Sequence, residues 1–213
     1  MPRSIASHPA VVKTAMRRGK PPTEILLDIS LHYAAMKKLS NKHKRGRPDI
    51  VHISLLEALE SPLAKKGLLE IHVQTIEGHA IFIDPQTRIP RNYNRFTGLM
   101  EQLFKEGSVP PGSCKPLMVM KTMSLDGLLQ HVGVKGFILL HEECERRGVS
   151  QVVSEAISSN LAVGIGGFAH GDFSDETIKA ASTCYSIYDE PLATWVVVSR
   201  VIAAAELQLG VIK

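Results

Sequence analysis

Three arginines stand close together in the first half of the chain, at Arg88, Arg91 and Arg95, with no acidic residue between Asp84 and Glu101. A guanidinium group bonds two oxygens of a phosphate at once, so this set is suited to gripping a phosphate backbone such as that of RNA. The alternative is that acidic residues elsewhere in the fold pair with the three arginines.

A second cationic segment precedes them, from Lys37 to Arg47, and no acidic residue occurs between Ile29 and Pro48. Its asparagine, glycine and proline predict a loop, and alone it would be interpreted as a solvated charge run. Pro48 and Asp49 then suit the first turn of a helix, where a carboxylate lies favourably at the positive end of the helix dipole. The cations are Lys37, Lys38, Lys42, Lys44, Arg45 and Arg47.

A glycine-rich segment, Leu161 to Asp172, follows a predicted strand in the second half of the chain. Glycine lets the backbone approach a ligand closely and leaves amides free to donate hydrogen bonds. The spacing does not match the dinucleotide fingerprint, and the next helix starts only near Ser174. A ligand-binding loop and a tight structural turn both remain open. The glycines are Gly164, Gly166, Gly167 and Gly171.

Other reactive side chains lack the spacing that chemistry needs. Cys114, Cys144 and Cys184 are odd in number and form no CxxC pair, so we expect reduced cytosolic thiols. Nine histidines show no metal-ligand spacing, and His141 and His170 are interpreted as loop or packing residues. The sequence has no G-x-S-x-G elbow, which leaves no basis for serine hydrolase chemistry.

The elements that must position these residues alternate along the first half of the chain. A helix is predicted over Pro9–Arg18, a buried strand over Glu24–Asp28, and a helix capped by Ser30 that runs through Leu39. After the helix that begins at Pro48, residues 68–74 and 79–84 predict a β-hairpin around Glu77-Gly78. The arginine segment enters a further helix near Phe96.

Strands and helices alternate in the second half and predict an α/β layer with a mainly parallel sheet, whose ligands bind beyond the carboxyl ends of the strands. Leu192–Leu209 is apolar on nearly all sides and predicts a helix buried in the domain or against a second subunit. The predicted strands are Pro116–Met120, Gly136–Leu140, Asn160–Ile165 and Cys184–Tyr188. The predicted helices are Leu125–His131, Glu142–Arg147, Asp175–Ala181 and Leu192–Leu207.

Composition supports a packed core, and the length fits one generous domain or one domain with an insertion. Of the 213 residues, 44% are apolar and 22% charged, and the net charge of +4 divides unevenly. Residues 1–106 hold 17 basic and 10 acidic side chains, so the positive charge is local and fits an anionic partner. Without a signal-like segment or a membrane-length apolar run, we expect a cytoplasmic protein without a membrane partner.

Several segments, in order along the chain, together resemble the Nep (nucleolar essential protein) family of pseudouridine methyltransferases, within the SPOUT or α/β-knot superfamily. The resemblance runs from about residue 8 to the C-terminus, although family members usually open with a strand and only seven residues precede His8 here. The segments are His8-Pro-Ala-Val11, Arg18-Gly-Lys20, Glu24–Asp28, Arg47-Pro-Asp-Ile-Val-His52, Ser61-Pro-Leu63, Gly67-Leu-Leu69, Pro85–Arg91, Arg95–Met100, Gly167–Gly171 and Glu190-Pro-Leu192.

The resemblance implies S-adenosylmethionine as methyl donor, held by a C-terminal trefoil knot, and a homodimer. It implies methyl transfer to N1 of a pseudouridine in small-subunit rRNA, with ribosomal assembly proteins as further candidate partners. Residues 37–47 and 68–96 then become RNA-binding insertions in a single domain, 1–213. The lack of a long charged N-terminal extension looks archaeal.

Site residues follow from the same resemblance. Asp49 and Arg47 take the catalytic positions, with Asp49 either a base for the ring N–H or a partner that orients Arg47. The rRNA-binding positions are Arg47, Arg88, Arg91 and Arg95. The cofactor positions are Leu140, Gly166, Gly167, Gly171, Ile187, Tyr188, Asp189, Glu190, Pro191 and Leu192.

Two other functions suit the same residues. One is an RNA-binding ribosome assembly factor whose catalysis is not essential, which the basic loops fit but the glycine loop does not require. The other is a tRNA methyltransferase of the same knotted superfamily.

Overall fold

The structure is a computed structural model that describes residues Met1–Lys213. It contains nine α-helices and seven strands. In chain order they are α1 Pro9–Arg18, α2 Ile29–Met36, α3 Pro48–Leu59, α4 Pro62–Lys65, β1 Ile71–Gln74, β2 His79–Ile83, α5 Tyr93–Glu106, β3 Ser108–Val109, β4 Met118–Thr122, α6 Leu125–Val132, β5 Phe137–Leu140, α7 Val149–Ser159, β6 Ala162–Ile165, α8 Asp175–Ala180, β7 Thr183–Tyr185 and α9 Thr194–Gln208.

The second half of the chain builds a parallel sheet in the order β6-β5-β7, as the alternation of strands and helices predicts. All four residues of the central strand, β5, are buried. Leu140 pairs with Ile165 on one side and with Tyr185 on the other. The carboxyl ends of the three strands therefore meet at one edge, where ligands bind in sheets of this kind.

The predicted hairpin is confirmed, since β1 and β2 pair antiparallel, and it belongs to a second sheet in the order β1-β2-β4-β3. The strand predicted at Pro116–Met120 forms as β4, but it pairs antiparallel with β2 and does not join the parallel sheet. Ile81 and Met118 pack against Phe96 of α5 in the largest buried cluster. The chain is thus α/β with two separate sheets.

No strand forms at Glu24–Asp28, contrary to the prediction. Ile25 is buried against α1 and α2, which explains the apolar character of the segment. The backbone N–H of Leu26 donates to Oε1 of Glu101 at 3.0 Å, so a side chain takes the place of a neighbouring strand. Glu101 is 3% exposed and pairs with two cations, Arg18 at 2.7 Å and Lys20 at 2.6 Å.

The helix predicted from Ser30 to Leu39 is shifted and shorter. Asp28 is its N-cap, because Oδ1 of Asp28 accepts from the backbone N–H of Ser30 at 2.9 Å, and the helix ends at Met36. A carboxylate that accepts a hydrogen bond from the backbone N–H two residues later is a strong N-cap.

The helix predicted at Glu142–Arg147 does not form, and α7, which was not predicted, follows it instead. Backbone bonds hold the segment against the chain after β7: Ser186 N–H donates to Glu145 O at 2.9 Å, and Arg147 N–H donates to Ser186 O at 2.8 Å. These partners are about 40 residues apart, and tertiary pairing therefore overrides the local helix propensity of the glutamates.

The expectation of reduced thiols is wrong for two of the three cysteines. Cys144 and Cys184 form a disulfide, while Cys114 is free and exposed. Because β7 lies beside β5, Cys184 comes next to the segment that follows β5. Sheet pairing, which spacing along the chain does not show, makes the bond geometrically possible.

The apolar C-terminal helix, α9, packs against α3 and α7. Ile202 and Ala205 lie in a buried cluster with Ala58 and Val153. The buried carboxylate of Glu206 accepts a hydrogen bond from the backbone N–H of Leu63 at 3.0 Å. This helix therefore joins the two halves of the chain. None of the nine helices combines the length and apolar composition that crossing a membrane requires.

Candidate functional site

The arginine segment between β2 and α5 alternates between the core and the surface. Thr87 and Ile89 are buried, and the hydroxyl of Thr87 donates to Leu117 O at 3.0 Å. Arg88 between them is exposed, as are Arg91 and Arg95. Arg88 and Arg95 form no ion pair, and the nearest acid to Arg91 is Glu60, at 3.9 Å. The alternative of acidic partners within the fold is therefore wrong for Arg88 and Arg95, and Arg91 has only this long contact.

Helix α3 holds the backbone of the arginine segment in place. Nε2 of His52 lies 2.7 Å from the carbonyl oxygen of Pro90, which stands between two of the arginines. The His52 ring also stacks on Phe96, with ring centroids 4.3 Å apart, and the residue is 5% exposed. The buried imidazole thus holds the backbone that carries the exposed guanidinium groups.

Tyr93, at the start of α5, connects the arginine segment to the helix before the basic loop. Its hydroxyl donates to Oδ2 of Asp28, the N-cap of α2. Burial, and then the hydrogen bond to Asp28, raise the pKa of Tyr93. The phenol therefore stays a neutral donor throughout the physiological range.

Arg47 and Asp49 form a two-pronged ion pair at the N-terminus of α3. Nε of Arg47 lies 2.9 Å from Oδ1 of Asp49, and Nη2 lies 2.8 Å from Oδ2. The two side chains are 30% and 41% exposed, so solvent and ligands reach them. This planar geometry fixes the direction of the guanidinium group.

The same contact sets the protonation of both partners. The hydrogen bond from Arg47 is the main reason that the pKa of Asp49 is lowered, outweighing burial, which raises it. The pKa of Arg47 is raised, chiefly by the same hydrogen bond. Asp49 is consequently a carboxylate at neutral pH and a weaker base than an ordinary aspartate.

The basic loop, Lys37–Arg47, is a loop as predicted, with one 3₁₀ turn at Lys42–Lys44. Its far side is fastened by the ion pair between Arg45 and Glu77 of the hairpin turn. At its end, Gly46 O accepts from the N–H of Ile29 at 2.8 Å, and Gly46 has a φ of +74°. Lys37, Lys38 and Lys42 remain exposed and unpaired, which leaves them available to an anion.

The positions that the resemblance assigns to the cofactor occupy the edge where the parallel strands end. Three segments meet there: residues 141–147 after β5, the glycine loop 166–174 after β6, and residues 186–193 after β7. Leu140 is buried, whereas Gly167, Gly171, Tyr188, Asp189, Glu190 and Pro191 are exposed, and Gly166, Ile187 and Leu192 are intermediate. The structure therefore brings all ten positions to one end of the sheet.

The glycine loop presents an unusual row of free donors. The backbone N–H groups of residues 166–172 donate to no acceptor within the chain. A β-carbon at position 167 would have no atom within 4 Å, so the space beside Gly167 is open. Consecutive amides beside open space can bind a polar ligand through the backbone alone.

Polar contacts join the three segments, and the sequence indicated none of them. Nε2 of His141 lies 2.7 Å from Oδ1 of Asp172, and the hydroxyl of Thr194 donates to Gly166 O at 2.7 Å. Arg146 pairs with Asp189. His141 was interpreted as a loop or packing residue, and its position just past a strand end was the one signal of its role.

The pKa of Asp172 is lowered, chiefly by the hydrogen bond from His141 and then by the N–H of Phe173. The Asp172 carboxylate is therefore ionised at neutral pH. It can hold the residues after β5 and the glycine loop together while the backbone amides face outward.

No hydrogen bond or ion pair joins the Arg47–Asp49 pair directly to the glycine loop. The two parts of the site meet through the basic loop instead. Nζ of Lys44 lies 5.6 Å from the centre of the Phe168 ring, and His43 lies against Gly171.

Comparison with known proteins matches nearly the whole chain to the family that its sequence resembles. Residues 5–206 match the family model described as EMG1/NEP1 methyltransferase. A protein of Staphylothermus marinus named ribosomal RNA small subunit methyltransferase Nep1 is 57% identical over 206 residues, which cover 97% of this chain and 90% of that protein. Its namesake in Thermococcus kodakarensis is 46% identical over 213 residues, covering 99% of this chain and 94% of the relative.

A solved structure agrees in fold. The crystal structure of Archaeoglobus fulgidus Nep1 bound to S-adenosylhomocysteine matches with a TM-score of 0.86 and 41% sequence identity. The match covers 98% of this chain and 93% of that one.

Proposed function

This chain belongs to the EMG1/NEP1 methyltransferase family, and on that premise we propose that it methylates N1 of a pseudouridine in small-subunit rRNA. It is an S-adenosylmethionine-dependent methyltransferase of small-subunit rRNA. The choice of pseudouridine and of its N1 atom is the finer part of the proposal.

One observation supports the methyl-transfer part of the proposal most strongly. A relative solved with S-adenosylhomocysteine, the product that remains after methyl transfer, superposes over 98% of this chain. This likeness favours an enzyme over the rival of a pure assembly factor. In the proposal, the exposed arginines serve its RNA and the open glycine loop serves its cofactor.

The three segments at the strand ends fit such a cofactor. Their free amides and the open space beside Gly167 suit the polar groups of a nucleoside and an amino acid. S-Adenosylmethionine supplies an electrophilic methyl group on a sulfonium centre. The residues that would hold it are Leu140, Gly166, Gly167, Gly171, Ile187, Tyr188, Asp189, Glu190, Pro191 and Leu192.

The front half of the chain would bind the RNA. A base inside folded RNA must leave its stack to reach an enzyme pocket, and cations on the flanking phosphates can hold the backbone while it does so. Arg88, Arg91 and Arg95 are exposed, unengaged by strong ion pairs, and carried on a backbone fixed by His52. In the proposal they grip these phosphates.

Asp49 acts as the partner that orients Arg47. N1 of pseudouridine carries a proton that must leave, so a carboxylate beside the base would be useful as a proton acceptor. However, both oxygens of Asp49 are engaged by Arg47, and its pKa is lowered by that bond. A carboxylate in this state accepts a proton poorly, so we assign it to holding the guanidinium group toward the nucleotide.

The organisation of the chain completes the proposal. Residues 1–213 form one methyltransferase domain, with the basic loop 37–47 and the segment 68–96 as its RNA-binding insertions. Leu207, Leu209 and Tyr188 are 59%, 44% and 48% exposed, which supports a homodimer built from the C-terminal half. The trefoil knot and the assembly-protein partners stay predictions.

Calorimetric titration with S-adenosylhomocysteine separates the enzyme from a binding factor. The proposal predicts a stoichiometric, saturable heat and a Kd in the micromolar range or tighter. An otherwise folded protein that gives no binding heat would support the assembly-factor alternative. Methylation of tRNA but not of small-subunit rRNA would favour the other knotted enzyme class.

A further inference from the structure

The basic loop and the glycine loop touch within one chain, although 124 positions separate Lys44 from Phe168 and 128 separate His43 from Gly171. The ring of His43 occupies the space where a β-carbon of residue 171 would lie, because such an atom would come within 2.4 Å of His43 Cδ2 and 2.7 Å of His43 Nε2. Gly171 also has a φ of +93°, which favours glycine. A side chain at position 171 would therefore require the His43 ring to move away.

Lys44 makes the second contact. Its Nζ lies 5.6 Å from the centre of the Phe168 ring, within the range of a cation–π interaction, and the Lys44 side chain is partly buried. The Phe168 ring in turn meets Phe173 edge-on at 5.2 Å. Lys44 also contributes to the lowered pKa of Asp172, after larger contributions from hydrogen bonds. Two consecutive residues of the basic loop thus bear on both ends of the glycine loop.

The glycine loop has few other restraints. Its amides from 166 to 172 donate to nothing in the chain, and its polar anchors are Asp172 on His141 and Gly166 O on Thr194. The ring of Phe173 also lies beside that of His141. A segment with so few bonds samples many conformations, and each contact that restricts it lowers the entropy cost of binding a ligand there. His43 and Lys44 supply such contacts from outside the cofactor half.

The basic loop is itself built to be held from its other side. Lys37, Lys38 and Lys42 are exposed and unpaired, whereas Lys44 is directed onto Phe168. The 3₁₀ turn joins the two groups, because Lys44 N–H donates to Asn41 O at 2.9 Å. Phosphates bound by the exposed lysines would therefore restrain the turn without drawing Lys44 away.

We infer that His43 and Lys44 are positioning residues that couple rRNA binding to cofactor binding within one chain. The rRNA restrains the basic loop and the cofactor restrains the glycine loop, and the two loops contact each other. Each ligand therefore raises the affinity for the other ligand by the same factor. The inference rests on the proposed function, since it requires rRNA on the basic loop and S-adenosylmethionine on the glycine loop.

Calorimetry with the full chain measures this coupling. S-Adenosylhomocysteine is titrated into the protein alone and into the protein saturated with a small-subunit rRNA transcript at low salt. We expect the transcript to tighten the Kd by about 5-fold to 20-fold, within the usual range of allosteric coupling. By reciprocity, S-adenosylhomocysteine must tighten RNA binding by the same factor, which is an internal check.

Variants assign the coupling to the two residues. The coupling is the Kd for S-adenosylhomocysteine without the transcript divided by the Kd with it. In Lys44→Ala and in His43→Ala this ratio should fall to within about twofold of one. Lys44→Arg keeps a cation over Phe168 and should retain the ratio of the parent. Lys13→Ala is the matched control: it removes the same charge from an exposed position on α1, outside both loops, so its ratio should equal that of the parent.

Two results would overturn the inference. One is a parent protein that binds both ligands with a Kd ratio of one or below. The other is an unchanged ratio in Lys44→Ala and His43→Ala. If the parent binds neither ligand, the proposed function itself fails, which is a distinguishable outcome.

Discussion

At the scale of single residues, the site depends on charges held in fixed directions. Arg47 is aimed by a carboxylate two residues away, whereas Arg88 and Arg95 are free of ion pairs. The ion pair fixes the direction of Arg47 and makes Asp49 a weaker base. The absence of ion pairs leaves the guanidinium groups of Arg88 and Arg95 ready for phosphate.

Asp49→Asn should lower kcat by roughly 10-fold to 100-fold and leave the affinity for S-adenosylhomocysteine unchanged, because Arg47 loses the charge that fixes its direction. Single-turnover methylation of rRNA measures this. Glu57→Gln, an exposed acid on the same helix, is the matched control. If Asp49 were a base, the activity of the variant would recover as pH rises. An unchanged kcat would remove Asp49 from the site.

The pH dependence of the Arg47–Asp49 ion pair follows from the direction of the pKa shift of Asp49. Because the pKa of Asp49 is lowered, the stability that its ion pair with Arg47 gives to the folded state is fully present above the ordinary pKa of 3.8. That stability is lost as pH falls through the lower pKa of Asp49 in the folded state. RNA affinity measured in the parent from pH 7 to pH 5 should therefore show no step that Asp49→Asn abolishes. Such a step would contradict the assignment.

Arg88→Ala should weaken RNA binding and reduce the slope of log K against log salt by about 0.7–0.9, the value for one lost phosphate contact. Filter binding across a salt series provides the measurement. Arg17→Ala, an exposed arginine on α1, controls for total charge. Should cofactor affinity fall in place of RNA affinity, Arg88 belongs to a different part of the site.

The sequence predicted these residues because their signals are local. Arginines without neighbouring acids, and glycines after an apolar strand, can be recognised within about a dozen residues. The contacts of His141 with Asp172 and of Lys44 with Phe168 could not be predicted, because 31 and 124 positions separate the partners and only the fold brings them together.

At the scale of elements, the same distinction separates the correct predictions from the wrong ones. Helix Pro9–Arg18 and the hairpin carry their own stop and turn signals, Gly19 and Gly78. The segments Glu24–Asp28 and Glu142–Arg147 were assigned wrongly, because side-chain and backbone partners from distant elements satisfy their hydrogen bonds. Local patterns contain no information about such partners.

The disulfide between Cys144 and Cys184 fastens the segment after β5 to β7, and both border the candidate cofactor site. Replacing both cysteines with serine should lower the free energy of unfolding by about 2–4 kcal/mol, since the bond closes a loop of 40 residues. It should also weaken binding of S-adenosylhomocysteine severalfold, because the segment 141–147 gains freedom.

Denaturant unfolding and calorimetry of the same variant provide the two measurements. Cys114→Ser, at the free and exposed cysteine, is the control and should behave as the parent does. Equal stability of the parent with and without a reducing agent would mean that the bond contributes nothing to this fold.

At the scale of the whole molecule, a basic front half and a nearly neutral-to-acidic back half are joined into one unit. Residues 107–213 hold 8 basic and 11 acidic side chains. Helix α9 links the halves through α3 and through the bond between Glu206 and Leu63. The charge division was visible in the sequence, whereas the second sheet and the packing of α9 required the fold.

In the proposed enzyme, the front half presents a pseudouridine to a methyl donor held by the back half. The most direct test uses S-adenosylmethionine with a labelled methyl group and two small-subunit rRNA transcripts of one sequence, one made with pseudouridine and the other with uridine. We expect label on N1 of a pseudouridine in the first transcript and none in the second. Equal labelling of both transcripts, or label on a different base, would contradict it.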